Sequence, residues 1–238
     1  MNKKMLIAAL LCALMMCSAA FAETIAVTTE TAAAAPQVGE FYLLGSYEQD
    51  NNLENGAEPI EWRVLKIEGD EALIISKYAL DARPYNDTVT YSNWSKCTLR
   101  TWLNEEFLNT AFTAEEQQQL ITKELKNWED VKTTDTVFLL DNDQAKRLFS
   151  SHDDRQALPT AYAAAQGAYR SVKYGLENGG NSQWWLRTIS WVTRRRASYV
   201  AGSGGVMTCG GETDGRVENE RWGVRPAVYV KLSALTTK

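Results

Sequence analysis

From Gly175 onward the chain is cut into short pieces. Gly175, Gly179, Gly180, Gly202, Gly204, Gly205, Gly210, Gly211 and Gly215 separate four mainly apolar segments: Trp184 to Arg187, Ser198 to Ala201, Val206 to Cys209 and Val224 to Lys231. Glycine admits the positive φ angles that tight turns demand, so this punctuation predicts short strands joined by turns and irregular loops. No fixed-period repeat and no heptad pattern runs through the chain.

The preceding residues read differently. Phe41 to Leu44 is a short strand candidate, and Ile60, Trp62 and Val64 alternate with Glu61 and Arg63 as in a half-buried strand. Leu65 and Ile67 fall on the other face, which predicts cover on both sides further along. Glu68 to Glu71 is a polar turn returning into Ala72 to Ser76, the second arm of a β-hairpin. The period then becomes helical: Leu99, Trp102, Leu103, Phe107 and Ala111 share one stripe. Thr113 with Glu116 forms a capping box that predicts a second helix through Leu120 and Ile121. Both helices are expected to pack on the hairpin. Val137 to Leu140 has strand length, Asp141 with Gln144 caps a helix through Ala145 and Leu148, and Pro159 opens one over Thr160 to Tyr169. Strands, then helices, then strands make the fold class α+β, with mixed or antiparallel sheets.

The ends set the expected compartment. Lys3 and Lys4, the apolar run Met5 to Met16 and the small-x-small signal Ala20-Phe21-Ala22 read as a signal peptide over residues 1–22, cleaved after Ala22. The run is shorter than the ~20 residues that cross a hydrocarbon core, so no membrane span is expected. Lipidation at Cys17 is the competing reading, but Met15-Met16 is not the small residue a lipobox wants. The Thr- and Ala-rich residues 23–39 read as a flexible tether and 40–238 as one domain, secreted or held in the cell envelope. The formal charge of −5, more acidic still without the leader lysines, gives no reason to expect nucleic acid. Export leaves Cys97 and Cys209 where a disulfide can persist. Bridged, they would stabilise by about 4 to 5 kcal/mol; unbridged, they are small buried apolar residues.

Several ordered motifs carry a family resemblance: Trp184-Trp185-Leu186-Arg187, Ala197 to Val200, and Gly223-Val224-Arg225-Pro226-Ala227 in the C-terminal region. Upstream stand Glu58 to Leu65, Leu99 to Asn104 with Phe107, Asp135 to Leu140, and Pro159 to Ala163. The chain resembles an uncharacterised bacterial domain family that ends in these WWLR and GVRPA segments. That closing segment in turn resembles those of formylglycine-generating-type and other C-type-lectin-like folds. The resemblance implies a C-type-lectin-like domain in which the final strand returns beside the first and Ile189 to Trp222 forms a long-loop face. Trp62, Trp102, Trp184, Trp185, Arg187, Trp222, Arg225 and Pro226 would form its structural base.

Arg187 and Arg225 sit in apolar strand-like settings. An anion clamp is one reading; a guanidinium stacked on Trp185 or Trp222 and paired with a buried acid is the favoured one. Trp191 and Arg194-Arg195-Arg196 have no strand or helix period and predict a presented loop, with Tyr199, Glu218, Glu220 and Arg221 across the same face. They are the candidate ligand contacts, although three arginines also suit a solvated turn. No catalytic residue is assigned. His152, the single histidine, lies among serines and aspartates without a nucleophile elbow. Asp141-Asn142-Asp143 lacks the glycine and terminal glutamate of a calcium loop, Gly202 to Gly205 is no phosphate loop, and the cysteine settings do not match formylglycine-generating oxidases. No metal or cofactor is expected. The reading is a non-catalytic module binding an extracellular protein or glycan. An enzyme acting on glycans through dispersed carboxylates and a structural envelope protein are the alternatives.

Overall fold

The computed structural model describes residues 35–127, 131–172, 180–190, 192–208 and 215–235. The signal-peptide residues and residues 23–34 of the tether lie outside them, as do Trp191 and Cys209. Gly39 N donates to Val64 O at 2.8 Å and Val64 N to Glu40 O at 2.9 Å, so residues 39 and 40 already pair with the second strand.

The first sheet opens as an antiparallel meander of β1 (Phe41–Tyr47), β2 (Glu58–Glu68) and β3 (Glu71–Ser76). Ile60, Trp62 and Val64 are buried while Glu61 and Arg63 are half-buried, as their alternation predicts. Leu65 is buried, Ile67 packs against the core, and the consecutive β3 residues Ala72 to Ser76 are all buried, so the sheet is covered on both sides here as expected. A register shift in the pairing with β3 falls between Val64 and Lys66. In β1 a register shift falls between Leu43 and Ser46 and holds Gly45 at φ +66°. A Cβ there would lie 2.4 Å from Ala111 O, so only glycine lets the following helix come so close.

A two-residue strand, β4 (Asp81–Ala82), follows. The helical stripe then forms α1 (Thr98–Trp102), a π-helical segment (Leu103–Phe107) and α2 (Leu108–Ala111). Phe112 just beyond stacks on Trp62 with ring centroids 6.0 Å apart, joining the helix to the hairpin. The Thr113–Glu116 capping box is formed, but α3 (Ala114–Gln117) ends at once and Leu120–Ile121 is strand β5 instead of helix. The edge of the last strand takes these residues, and tertiary pairing overrides the local period. A hairpin of β6 (Lys123–Lys126) and β7 (Lys132–Asp135) follows, then β8 (Val137–Phe138). Three short helices come next: α4 (Asn142–Arg147) with its predicted capping box, α5 (His152–Arg155) and α6 (Ala161–Ala165), the last shorter than expected.

The C-terminal region supplies β9 (Trp184–Ile189), β10 (Ala197–Val200), β11 (Val206–Met207), β12 (Gly223–Val224) and β13 (Ala227–Lys231). Val224 to Lys231 is therefore two strands, not one. β12 belongs to a second sheet of order β11-β10-β9-β12-β4, and β13 joins the first sheet. There it pairs with β3 on one side and with β5 and β8 on the other. The final strand thus lies beside the third strand, not the first. The fold is α+β with a curled antiparallel sheet, and no helix among the described residues is long and apolar enough to cross a membrane.

The closing motif acquires a physical meaning at the crossing. A Cβ on Gly223 would sit 2.7 Å from Ala79 Cβ and 2.9 Å from Ser182 Oγ, so the strand needs glycine to approach β4 and β9. Pro226 has no N–H to give to a ladder, and its carbonyl accepts from Ser76 N at 2.9 Å. Arg225 between them donates from Nε to Ser76 O at 2.7 Å and from Nη1 to Arg155 O at 3.1 Å. It lies over Trp184, 5.0 Å from the ring centre, in place of Trp185 or Trp222.

One tie on this side is sensitive to pH. Asp154 Oδ1 accepts from Arg63 Nη1 at 2.9 Å and its other oxygen from Ser150. The Arg63 bond first, then Ser150, hold its pKa down at about 2. The carboxylate is lower in the folded state than in the unfolded, so its contribution is complete above about pH 4 and is lost as pH falls towards 2. Both side chains are partly exposed, which limits the effect to about 1 kcal/mol. Asp154→Asn is expected to lose that amount at pH 7 and only a small part of it at pH 2, where the folded carboxylate is about half protonated, in paired urea titrations. Equal losses at both pH values would rule out this linkage.

Candidate functional site

A cavity of about 280 Å³ opens where four segments meet. Asn93 to Ser95, ahead of α1, form one wall, and Lys126, Asn127 and Val131 from the β6–β7 hairpin form another. The start of α4 and the end of β9, Arg187 to Ile189, complete it. Each wall is fixed by buried polar bonds.

Trp94 is 1 % exposed and donates from Nε1 to Asp135 Oδ2 at 2.9 Å. Asp135, fully buried, also accepts from Thr133 Oγ1 at 2.7 Å and from Arg100 Nε, so one carboxylate locks Trp94, the hairpin and α1 together. Arg187 is 5 % exposed. Its Nη1 donates to Leu139 O at 3.0 Å and Gln144 Oε1 at 2.6 Å, and its Nη2 pairs with Asp141. Burial lowers its pKa and the Asp141 carboxylate opposes that shift. Asn127 spends its amide N–H groups within the hairpin, on Val131 O at 3.1 Å and Thr133 Oγ1 at 3.0 Å. Asn142 is placed by its backbone N–H, which donates to Thr188 Oγ1 at 3.1 Å.

After these bonds three buried atoms of lining residues have no partner: the donor Arg187 Nε and the acceptors Asn127 Oδ1 and Asn142 Oδ1. They are half of the six such side-chain atoms among the described residues. A buried polar group without a partner costs about 1–3 kcal/mol, and native proteins keep few of them. Together these three leave one donor and two acceptors without partners on residues that line one cavity. Among the described lining residues the charges are Lys126 and Arg187 against Asp141 and Asp143, a balance that favours a neutral ligand.

The residues singled out on the C-terminal loops are arranged otherwise. Arg194 has φ 50°, and its carbonyl accepts from Ser92 N at 3.1 Å. Arg195 is exposed, 5.9 Å from the Tyr91 ring centre, and its carbonyl accepts from Val217 N at 3.0 Å. Arg196 bridges to Arg216. These bonds bring the arginine loop beside Glu218, Glu220 and Arg221, which line a shallow groove of about 480 Å³. Tyr199 is not on that face: it is 6 % exposed, its ring 3.8 Å from that of buried Trp222, because β10 carries it into the core. Trp191 lies outside the described residues.

Trp62, Trp184 and Trp185 are fully buried, and Trp102, Trp222, Arg187 and Arg225 nearly so. Trp184 Nε1 donates to Arg155 O at 3.1 Å and Trp185 Nε1 to Arg83 O at 2.9 Å. Cys97 is a free, buried thiol whose pKa burial pushes up to about 12; Cys209, its expected partner, lies outside the described residues. His152 is exposed at the first position of α5, and Asp141 caps α4 in a box with Gln144 while Asn142 and Asp143 open its first turn.

Sequence reasoning missed Trp94, Asn127 and Asn142. Isolated asparagines on separate segments carry no motif, and the signal that could have marked them was the charge-poor Asn-Trp-Ser run at 93–95. It also missed three carboxylates, Glu48, Asp50 and Glu58, that approach within 4.8 Å of one another in the β1–β2 loop.

A family model described as "Domain of unknown function (DUF6273)" matches residues 69–232, well over half of the chain, including every lining residue of the 280 Å³ cavity. No curated protein and no solved structure matches the chain.

Proposed function

The chain belongs to the DUF6273 family, and from that premise we propose that it is an exported, non-catalytic binding module that takes a neutral glycan in the cavity between Trp94, Asn127, Asn142 and Arg187. The observation that carries the reading is the set of three buried, unpartnered polar atoms around that cavity. A sugar supplies hydroxyl hydrogens for the two asparagine oxygens and a hydroxyl or ring oxygen for Arg187 Nε. Asp141, the buried-side acid of the cavity, is committed to Arg187 and to the first turn of α4, which argues for binding over acid–base chemistry. Export through the leader at residues 1–22 puts such a module where glycans are displayed.

A C-type-lectin-like architecture is part of the same proposal. The curled antiparallel sheet and the loop-rich C-terminal region support it, and the position of β13 beside β3 departs from it. The arginine loop with Glu218, Glu220 and Arg221 is the competing surface, better suited to a protein partner.

The test uses protein recovered from an exporting host, with Glu23 expected as its first residue. It is screened on glycan and surface-protein arrays beside two variants, Asn142→Leu and the fourfold alanine replacement of Trp191, Arg194, Arg195 and Arg196. Among the described residues Asn142 Oδ1 has no hydrogen-bond partner, so leucine takes its place without breaking a bond to that atom. Glycan binding weakened at least about tenfold by Asn142→Leu, and unchanged by the fourfold variant, is expected. The reverse pattern would move the site to the loops.

A further inference from the structure

A second cavity, of about 220 Å³, has a different chemistry. It lies between the β1–β2 loop, the helix from Trp102 to Thr110, and Tyr162 of α6. Its walls are aromatic. Tyr47 packs against Phe107 with centroids 5.1 Å apart and against Tyr162 edge-on at 5.8 Å, while Trp102 lies 5.4 Å from Phe107. Two of these rings, Trp102 and Phe107, bracket the π-helical segment Leu103–Phe107, a local geometry that is rare and frequent at functional sites. Trp102 is 8 % exposed, and its Nε1–H is buried without an acceptor.

The charges around these rings are nearly all negative. Glu48 and Glu106 are the only ionised side chains that line the cavity. Asp50 and Glu58 stand with Glu48 in the carboxylate group of the β1–β2 loop, and buried Asp81 accepts from Tyr47 Oη at 2.8 Å. Against these five carboxylates stands one guanidinium, Arg83, which is paired with Asp81 at 3.2 Å and Glu106 at 3.6 Å and covers the Trp102 face at 4.2 Å. Aromatic faces attract cations through the ring quadrupole, and a surrounding negative field adds to that attraction. The volume is below the about 300–1,000 Å³ typical of sites for drug-sized ligands, so the occupant is small.

We propose that this cavity binds a small organic cation, its ammonium group against Tyr47 and Tyr162 beside Glu48, and an oxygen of the same molecule accepting from Trp102 Nε1. The acidic group alone would not indicate a ligand. The unpartnered indole N–H and the ring-lined cavity are independent of it, and together they require a ligand that is cationic at one end and an acceptor at the other. The site does not rest on the glycan reading, since the two cavities share no residue.

The experiment is isothermal titration of the full exported chain with choline and with 3,3-dimethyl-1-butanol, the uncharged molecule of the same shape. Choline is expected to bind at least about tenfold more tightly than the alcohol, the factor an ammonium–aromatic contact supplies when partly desolvated. Glu48→Gln, on the rim, is expected to weaken choline severalfold with the fold retained by circular dichroism. Trp102→Phe keeps a ring and removes the N–H, so it should abolish any preference for choline over tetramethylammonium. Absence of choline binding to the folded wild-type protein, equal binding of choline and the alcohol, or unchanged affinity in Glu48→Gln would each overturn the proposal.

Discussion

Asp135→Ala is expected to lower the unfolding free energy by about 3–5 kcal/mol. Asp135 is fully buried and accepts from three donors, Arg100 Nε, Trp94 Nε1 and Thr133 Oγ1. Removing the carboxylate leaves an indole N–H and a hydroxyl unsatisfied and strips the partner from Arg100, whose side chain is 24 % exposed. Small domains hold only about 5–15 kcal/mol in total, so the variant would sit close to its unfolding threshold. Asp135→Asn keeps an acceptor of similar shape and is expected to lose less. A double variant replacing Asp135 and Arg100 with leucine and methionine should recover part of the loss, because the stranded charge leaves with its partner. Urea titration measures all three. A loss below about 1 kcal/mol in Asp135→Ala would mean that Arg100 and Trp94 find water instead, and the wall of the 280 Å³ cavity would then not depend on this carboxylate.

Arg225→Ala is expected to lose a similar amount, about 3–5 kcal/mol, by another route. Arg225 is 2 % exposed and makes no ion pair with any described residue. Burial first, and then nearby Arg63, pull its pKa well below the ordinary arginine value, so the charge itself is a burden to the fold. The sign follows: a base whose pKa falls on folding carries its full penalty below the folded value, and that penalty eases as pH rises towards the unfolded value. What the side chain returns is geometry. Its Nε satisfies Ser76 O, the carbonyl at the end of β3, and its Nη1 shares Arg155 O with Trp184, while the guanidinium fills the space over the Trp184 and Phe149 rings. Arg225→Met keeps most of that volume and removes the charge, so it should lose only about 1–2 kcal/mol. If methionine and alanine were equally harmful, the hydrogen bonds rather than the packing would carry the stability.

The hairpin of β2 and β3, the helical stripe from Leu99 to Ala111 and the capping boxes at Thr113 and Asp141 were legible because each is a local pattern. Alternation, a 3.6-residue period and a cap are set by neighbours in sequence. The capping box ahead of Leu120–Ile121 predicts helix there and is itself formed; only the open edge of β13, over a hundred residues later, makes these residues a strand. The division of GVRPA between two sheets was equally invisible, since one apolar run fits one strand or two. Tyr199 shows the same limit at the candidate site. Its segment, Ser198 to Ala201, is expected as a short strand, but local pattern does not say which side faces the core, and β10 turns Tyr199 inward against Trp222.

Which segments are apolar, where helices begin and where the backbone needs glycine was set by the sequence itself, through short-range sterics and hydrogen bonds that each residue carries with it. Tertiary structure alone decided that Trp94, Asn127, Asn142 and Arg187 surround one cavity and that Tyr47, Trp102 and Tyr162 surround another. A polar atom becomes unsatisfied only when distant segments close over it. That condition depends on burial by residues far along the chain, and no local pattern encodes it.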